Sequence, residues 1–337
     1  MTSKTLTARQ LLPAPAPKTA PSRDLVSTRD LSSEEAGVLL SLTAMLKAKP
    51  EDFRTALSGK QMAMFFEKPS LRTRLTFEAG MAGLGGTTFF IDQTHERLNA
   101  RESLSDIAHN VERWVDAVVM RTYEQSSIEG MAEHACIPVI NALSGTEHPC
   151  QALADYFTLQ ERFGDLKDVQ LAYVGDGNNV ANSLLLTCAL LGSSIRVATP
   201  QGYGPDADML LAAQAIAQQT GARIDVMVNP REAVDGADAV YTDQWTSMGW
   251  EKEASQRIPK FAPYQVNKKL MACAAPHALF LHCLPAHRGE EVTDEIIDSP
   301  QSVVFDQAEN RMHIQKAILV WLLGGGIGRF WVRSAHV

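Results

Sequence analysis

From Gln61 onward the chain repeats one alternation, a short apolar run followed by a stretch with helical spacing. The runs are 62–66, 87–91, 117–120, 138–141, 171–174, 195–198, 223–228, 239–242, 279–282 and 302–305. Helical patterns lie between most of them, at 71–84, 104–114, 150–163, 181–191 and 209–220. Buried strands that alternate with helices predict parallel sheets covered by helices. Ten strands make one large sheet or two smaller ones, and 337 residues at roughly 150 per domain favour two. Helix 150–163 follows the loop 143–149 and is a natural bridge. The expectation is an α/β chain of two doubly wound parallel-sheet domains, 24–148 and 149–307, behind a disordered tail over 1–23. In such folds ligands bind beyond the carboxyl ends of the strands, so the chemistry is sought just after each run.

Charge narrows the ligand. Thirty-one Lys and Arg against 39 Asp and Glu give −8. That excludes a global field for nucleic acid or an anionic membrane, so an anionic substrate must be gripped by a few local cations. The five cysteines, Cys136, Cys150, Cys188, Cys273 and Cys283, form no C-x-x-C pair. An odd count without such spacing argues against a disulfide framework or structural zinc and for a reduced, cytoplasmic chain. The apolar stretch 317–332 is broken by Gly324, Gly325 and Gly326 and is too short to span a bilayer. Lys4, Arg9, Lys18 and Arg23, with no acid among them, give the tail the bias of a transit peptide. Pro13, Pro15, Pro17 and Pro21 oppose the amphipathic helix such a peptide needs, which leaves a plain disordered tail.

At the first strand exit stands Glu67-Lys68-Pro69-Ser70-Leu71-Arg72-Thr73-Arg74. Ser70 suits a helix cap, and the free N–H groups with Ser70, Arg72 and Thr73 suit an anion cradle; a capped helix with solvated arginines fits equally. Arg121 ends another strand, as a surface charge or a second anion ligand. His148-Pro149-Cys150-Gln151 opens the bridging helix, where His148 is either a cap or a donor to a polarised carbonyl oxygen, and Gln151 supplies an amide. The turn Val174-Gly175-Asp176-Gly177-Asn178-Asn179-Val180 begins like a dinucleotide fingerprint. It lacks the third small residue, and no acid ends the next strand, which argues against NAD binding. Asn178 and Asn179 offer amides instead. Asp243 can hold an ammonium group or cap its turn. His282, Cys283 and His287 lack a fourth metal ligand, so no metal is expected. Glu309-Asn310-Arg311 is placed at the start of the last helix, with Arg311 as a third anion ligand.

Five motifs in order carry a resemblance. They are Ser70-Leu71-Arg72-Thr73-Arg74, His148-Pro149-Cys150-Gln151, Asp243 with Ser247-Met248-Gly249, His282-Cys283-Leu284-Pro285 and Glu309-Asn310-Arg311. From about Leu25 to about Leu323 the chain resembles the aspartate/ornithine carbamoyltransferase family. It is similar to the ornithine branch in its Ser-Met-Gly loop, its Asp-Gly-Asn-Asn turn and Cys283. The resemblance implies transfer of the carbamoyl group of carbamoyl phosphate to the side-chain amine of L-ornithine, without a cofactor or metal. It implies Ser70, Leu71, Arg72, Thr73, Arg121 and Arg311 around the phosphate, and Arg121, Thr73 and His148 on the carbamoyl oxygen. Gln151 would hold the carbamoyl amide, and Cys283 and Leu284 the junction of the substrates. Asn179, Asp243, Ser247 and Met248 would hold the amino acid, with Arg121, His148, Asp243 and Cys283 as the catalytic set. It further implies a C-terminal helix, within 308–337, returning to the first domain. A homotrimer is also implied, with Arg97, in a loop near 97–103, reaching a neighbouring subunit's site.

The chain departs from the family's pattern at three positions. Leu71 stands where a Thr is usual, Gln307 where an acid is usual, and Arg97 where a Gln or His is usual. Two rival readings remain: the same chemistry on putrescine, N-acetylornithine or aspartate, and a non-catalytic anion-binding protein on the same fold. Asp243 and Asn179 favour an acceptor with an α-amino acid head.

Overall fold

The structure, a computed structural model, describes residues 23–246 and 253–324. The expected tail over 1–23 thus lies, Arg23 apart, outside the described residues. Among those described, nine strands form two all-parallel sheets. The first contains β1 (Gln61–Phe66), β2 (Thr87–Asp92), β3 (Ala117–Arg121) and β4 (Val139–Leu143), in the order β2-β1-β3-β4. The second contains β5 (Gln170–Val174), β6 (Ser194–Ala198), β7 (Arg223–Met227), β8 (Ala239–Thr242) and β9 (Leu279–His282), in the order β7-β6-β5-β8-β9. Both sheets are doubly wound, as expected. Helices on both faces explain why β3, β4 and β8 are buried along their length, whereas β2 and β7, at the edges, are half exposed.

Strand order reverses between β1 and β3 and again between β5 and β8, and each reversal opens a crevice at the strands' carboxyl ends. Register levels those ends. Phe66 pairs with Arg121, so the loop after β1 starts beside Arg121. Thr242 pairs with His282, so Asp243 and Cys283 leave their sheet side by side.

The bridging helix Pro149–Phe163 starts with Pro149 in its first turn, where a missing N–H costs nothing. The C-terminal helix Val304–Leu323 packs on it and on the helices Ser33–Ala48 and Leu71–Gly83, so the end of the chain returns to the first half. One hydrophobic core therefore runs through both halves, joining Leu40 and Phe77 to Leu153, Tyr156, Leu185 and Ile318.

Two expectations are corrected. The run 302–305 is not a tenth strand. Ser302 makes a single bridge to Phe280, and Val304 opens the last helix with its side chain in the core. A four-residue apolar run does not distinguish a strand from a helix's first turn. The last helix consequently begins before Glu309, which puts Arg311 two turns inside it. The helix Ser33–Ala48, not among the expected elements, carries a start signal of its own. Ser32 and Glu35 form a reciprocal capping box, the S-x-x-E pattern ahead of an apolar run.

Candidate active site

The first wall of the site forms where β1 and β3 end. Ser70 holds an extended backbone before the helix Leu71–Gly83, and its Oγ accepts the Thr73 N–H at 3.2 Å. That cap swings Arg72 and Thr73 into the crevice beside Arg121. A third cation arrives from far along the chain, as Arg311 Nη2 donates to Thr73 Oγ1 at 2.8 Å. Arg121 and Arg311 are buried, and the Nε of each has no hydrogen-bond partner among the described residues. Burial, then repulsion from Arg311 and Arg72, lowers the Arg121 pKa to about 9. Burial lowers those of Arg72 and Arg311 as well. Holding three guanidiniums together is unfavourable unless a shared anion offsets it, and a dianion with several oxygens suits three forked donors.

The bridging helix supplies the floor. The His148 backbone N–H donates to Ser183 Oγ at 2.8 Å, but the imidazole makes no capping bond and its Nδ1 is buried without a partner among the described residues. Burial, reinforced by Arg311 and Arg121, holds its pKa well below 6.5, so His148 is neutral and can donate a hydrogen bond without competing for protons. One turn on, Gln151 Nε2 donates to Asp155 Oδ1 at 2.7 Å, and Oε1 is left buried and unpartnered among the described residues.

The opposite wall forms where β5, β8 and β9 end. Asn178 caps the helix Asn179–Leu191 with its Oδ1, while its Nδ2 donates to Asp243 Oδ2 at 2.7 Å. The Cys283 thiol donates to Asp243 Oδ1 at 3.0 Å. Burial, then Asp243, pushes that thiol well above its usual pKa, so it is a neutral donor and not a thiolate nucleophile. Asn179 Nδ2 donates across the crevice to Ser144 O at 2.7 Å. Gly177 is glycine for packing: a Cβ there would lie 2.2 Å from the Gly204 carbonyl carbon. Asp243, His282 and Cys283 lie close enough together to suggest a cation site. His282, however, commits both ring nitrogens, Nδ1 accepting from the Leu284 N–H and Nε2 facing Glu291. It has no lone pair left for a metal.

The resulting cleft, about 280 Å³, brings together Ser70, Leu71, Arg72, Thr73, Arg121, His148, Gln151, Asn179, Asp243, Cys283, Leu284 and Arg311. Arg97 stands outside it, half exposed, with its guanidinium 4.4 Å from the Tyr123 ring centroid and 3.8 Å from Glu67. Ser247 and Met248 lie outside the described residues. Three residues with a part here, Lys68, Asp155 and Gln307, have no site role in the sequence reading, and Asn178 is read there only as an amide at a strand exit. Lys68 lines the cleft, and burial with Arg121 and Arg97 lowers its pKa to about 8. Its place at a strand exit was the available signal. Asn178 holds Asp243, whereas Asp155 and Gln307 act from beneath and have no local signature.

Two family profiles match the chain in succession. The family profile "Aspartate/ornithine carbamoyltransferase, carbamoyl-P binding domain" matches residues 23–161, and "Aspartate/ornithine carbamoyltransferase, Asp/Orn binding domain" matches residues 167–322. The chain is 47% identical over 308 residues to "Ornithine carbamoyltransferase, anabolic" of Pyrococcus furiosus, covering 90% of this chain and 97% of that one. It is 48% identical over 300 residues to the ornithine carbamoyltransferase of Shewanella oneidensis, covering 89% and 99%. The solved structure of the Pyrococcus furiosus ornithine carbamoyltransferase superposes with a TM-score of 0.87 at 47% identity, over 91% of this chain and 98% of that one.

Proposed function

This chain belongs to the aspartate/ornithine carbamoyltransferase family, and we propose that it transfers the carbamoyl group of carbamoyl phosphate to the side-chain amine of L-ornithine. The observation that carries this is the convergence of Arg72, Arg121 and Arg311 beside a neutral His148, across from the Asp243–Cys283 pair. Ser70, Thr73, Arg72, Arg311 and the first backbone N–H groups of the helix at Leu71 hold the phosphate. The Leu71 side chain points largely to solvent, so the missing hydroxyl leaves the backbone donors of that turn in place. Arg121, Thr73 and His148 polarise the carbamoyl oxygen, and Gln151 Oε1 accepts from the carbamoyl NH2. Asn179, Asp243, Ser247 and Met248 hold the head of ornithine, with Cys283 and Leu284 at the junction of the two substrates.

The side-chain amine must attack as a free base, although amines of the lysine type titrate near about 10.4 in water. Desolvation beside cations favours the neutral form. The nitrogen bonds to the carbamoyl carbon, charge gathers on the carbonyl oxygen where Arg121, Thr73 and His148 meet it, and the carbon–oxygen bond to phosphate breaks. The departing phosphate takes the surplus amine proton, leaving citrulline. Two halves that bring the reactants into one alignment supply much of the rate.

We also propose residues 24–148 as the carbamoyl phosphate half and 149–307 as the ornithine half. A homotrimer is proposed from the outer face of the first sheet. There a groove of about 580 Å³ runs past Phe89, Ile91, Ile107 and the exposed Trp114, with Arg97 at its rim. None of the described helices is long and apolar enough to cross a membrane, and five free cysteines suit a reducing cytoplasm. The name of the Pyrococcus furiosus relative supports an anabolic direction, in arginine biosynthesis. The test is citrulline formation from carbamoyl phosphate and L-ornithine, with putrescine, N-acetylornithine and aspartate alongside. Turnover on ornithine alone is expected. Turnover on another amine moves the assignment of Asp243, and a folded protein silent on all four overturns the proposal.

A further inference from the structure

We propose that Gln307 is a positioning residue: acting through Asp155, it turns the Gln151 amide so that Oε1, and not the NH2 group, faces the cleft. The proposal rests on the carbamoyl-transfer reading above and deepens it.

Gln307 sits in the first turn of the C-terminal helix, fully buried. Its orientation is dictated from outside, because the His282 backbone N–H can only donate and lies 3.0 Å from Oε1. Nε2 is thereby left for Asp155 Oδ1, at 2.7 Å, with the Tyr241 hydroxyl at 3.2 Å. The same Asp155 Oδ1 takes the Gln151 Nε2 at 2.7 Å. An ionised carboxylate only accepts, so it fixes the NH2 end of Gln151 towards itself and the carbonyl end towards the cleft. Gln151 Oε1 is buried there without a partner among the described residues. An acceptor at that point matches the NH2 of a carbamoyl group, and the reversed amide would oppose donor to donor.

The arrangement is firmest while Asp155 is charged: both amides bond Oδ1, Oδ2 has no partner among the described residues, and a proton there leaves Oδ1 a weaker, neutral acceptor. Facing it are Gln151 and Tyr156 on its own helix, Tyr241 on β8, Cys283 beyond β9, and Gln307 and Arg311 on the C-terminal helix. Burial raises its pKa to about 7, against the opposing pull of the bonds from Gln151, Gln307 and Tyr241 and of Arg311. Protonated, Asp155 holds the Gln151 amide less firmly against turning over. Gln307 donates to the carboxylate and adds no charge of its own.

The experiment compares the full chain with Gln307→Glu and Gln307→Leu. In Gln307→Glu two carboxyls share one site, and the acid limb of kcat/KM for carbamoyl phosphate is expected to move up by about one pH unit or more. At pH 7 the KM for carbamoyl phosphate rises about tenfold, the scale of one hydrogen bond to a charged network, while the KM for ornithine changes little. Gln307→Leu shifts both in the same direction by less. Phosphonoacetamide, which carries the amide, and inorganic phosphate, which lacks it, separate this from loss of the phosphate site: calorimetry should show only the former weakened in both variants. Acid limbs and KM values that superimpose on the parent protein in both variants overturn the proposal, as does equal weakening of phosphate and phosphonoacetamide. If the parent carbamoylates no amine, the functional reading fails, and the selective loss of phosphonoacetamide binding still decides the role of Gln307.

Discussion

The thiol of Cys283 donates to Asp243 Oδ1 at 3.0 Å, and Asn178 occupies the other oxygen of the same carboxylate at 2.7 Å. Asp243 is therefore aimed before any amino acid arrives, and its orientation is set by two strand exits that register brings side by side. Cys283→Ala removes one of the two donors. A hydrogen bond to a charged group is worth about 1.5–3 kcal/mol, so the KM for ornithine should rise about tenfold or more, with the KM for carbamoyl phosphate changing less. Steady-state kinetics with each substrate varied in turn checks this; a larger rise for carbamoyl phosphate would show that the thiol serves the other substrate.

The raised pKa of that thiol has a second consequence. Alkylation proceeds through the thiolate, so iodoacetamide near neutral pH should label the exposed Cys136 well before Cys283. Peptide mass spectrometry over a time course reads the order, and equal rates would contradict a neutral, half-buried Cys283.

Arg121→Met removes one of three mutually repelling cations from a buried position. Replacing a buried charge by an apolar side chain is often neutral or stabilising by about 1–4 kcal/mol, so without ligand the variant should melt no lower than the parent protein. The kcat should fall by about two orders of magnitude or more, the scale of losing one oxyanion donor, and steady-state kinetics reads it. Calorimetry with and without phosphate tests the stability, since phosphate should stabilise the parent protein far more than the variant. A variant that melts well below the parent would mean that the cluster is held by contacts other than its ligand.

His148 should be neutral throughout the working range, because burial and two arginines hold its pKa well below 6.5. Its unfolded form still titrates near about 6.5, so stability is present above that pH and declines as the pH falls below it. Imidazole resonances followed by nitrogen-15 NMR should show His148 neutral at pH 6. An imidazolium there would remove it as a neutral hydrogen-bond donor to the carbamoyl oxygen.

Asp176, just after β5, is pinned by Arg257 Nη1 at 2.9 Å, and the same Arg257 nitrogen donates to the Trp245 carbonyl. Burial raises the Asp176 pKa to about 6 in spite of that partner. A carboxyl whose folded pKa exceeds its unfolded value, about 3.9, favours folding below that value and loses the contribution as the pH rises through about 6. Arg257→Met leaves the carboxylate without its cation and should cost about 3–5 kcal/mol at pH 7, with less lost at pH 4. Chemical denaturation at the two pH values checks the sign; equal losses would mean that Arg257 acts through packing alone.

The sheets were legible because a doubly covered parallel strand must be apolar along its length, and the strand exits followed from that. Ser70 announced its helix through capping chemistry, which is local in sequence. What was not legible is non-local. Gln307 meets Asp155 across 152 positions, and each alone looks like an ordinary polar residue in a helix. The run at 302–305 misled because Val303 and Val304 are buried as a helix start, a burial that a strand would show equally. Lys68 is not legible because its lowered pKa arises from burial first, and then from Arg121 and Arg97, neighbours brought together only by the fold.

Arg311 reaches Thr73 across 238 positions of chain, from a helix that ends at Leu323. A ribosome therefore lays down the whole of both sheets before it makes the residue that closes the phosphate cradle. Premature stops, or clipping of the last helix, leave a chain with most of its strands but an incomplete cradle and an uncovered core. Such a fragment exposes apolar surface that the last helix covers and lacks the third cation of the cradle, so completeness of synthesis and completeness of the site are joined in one helix.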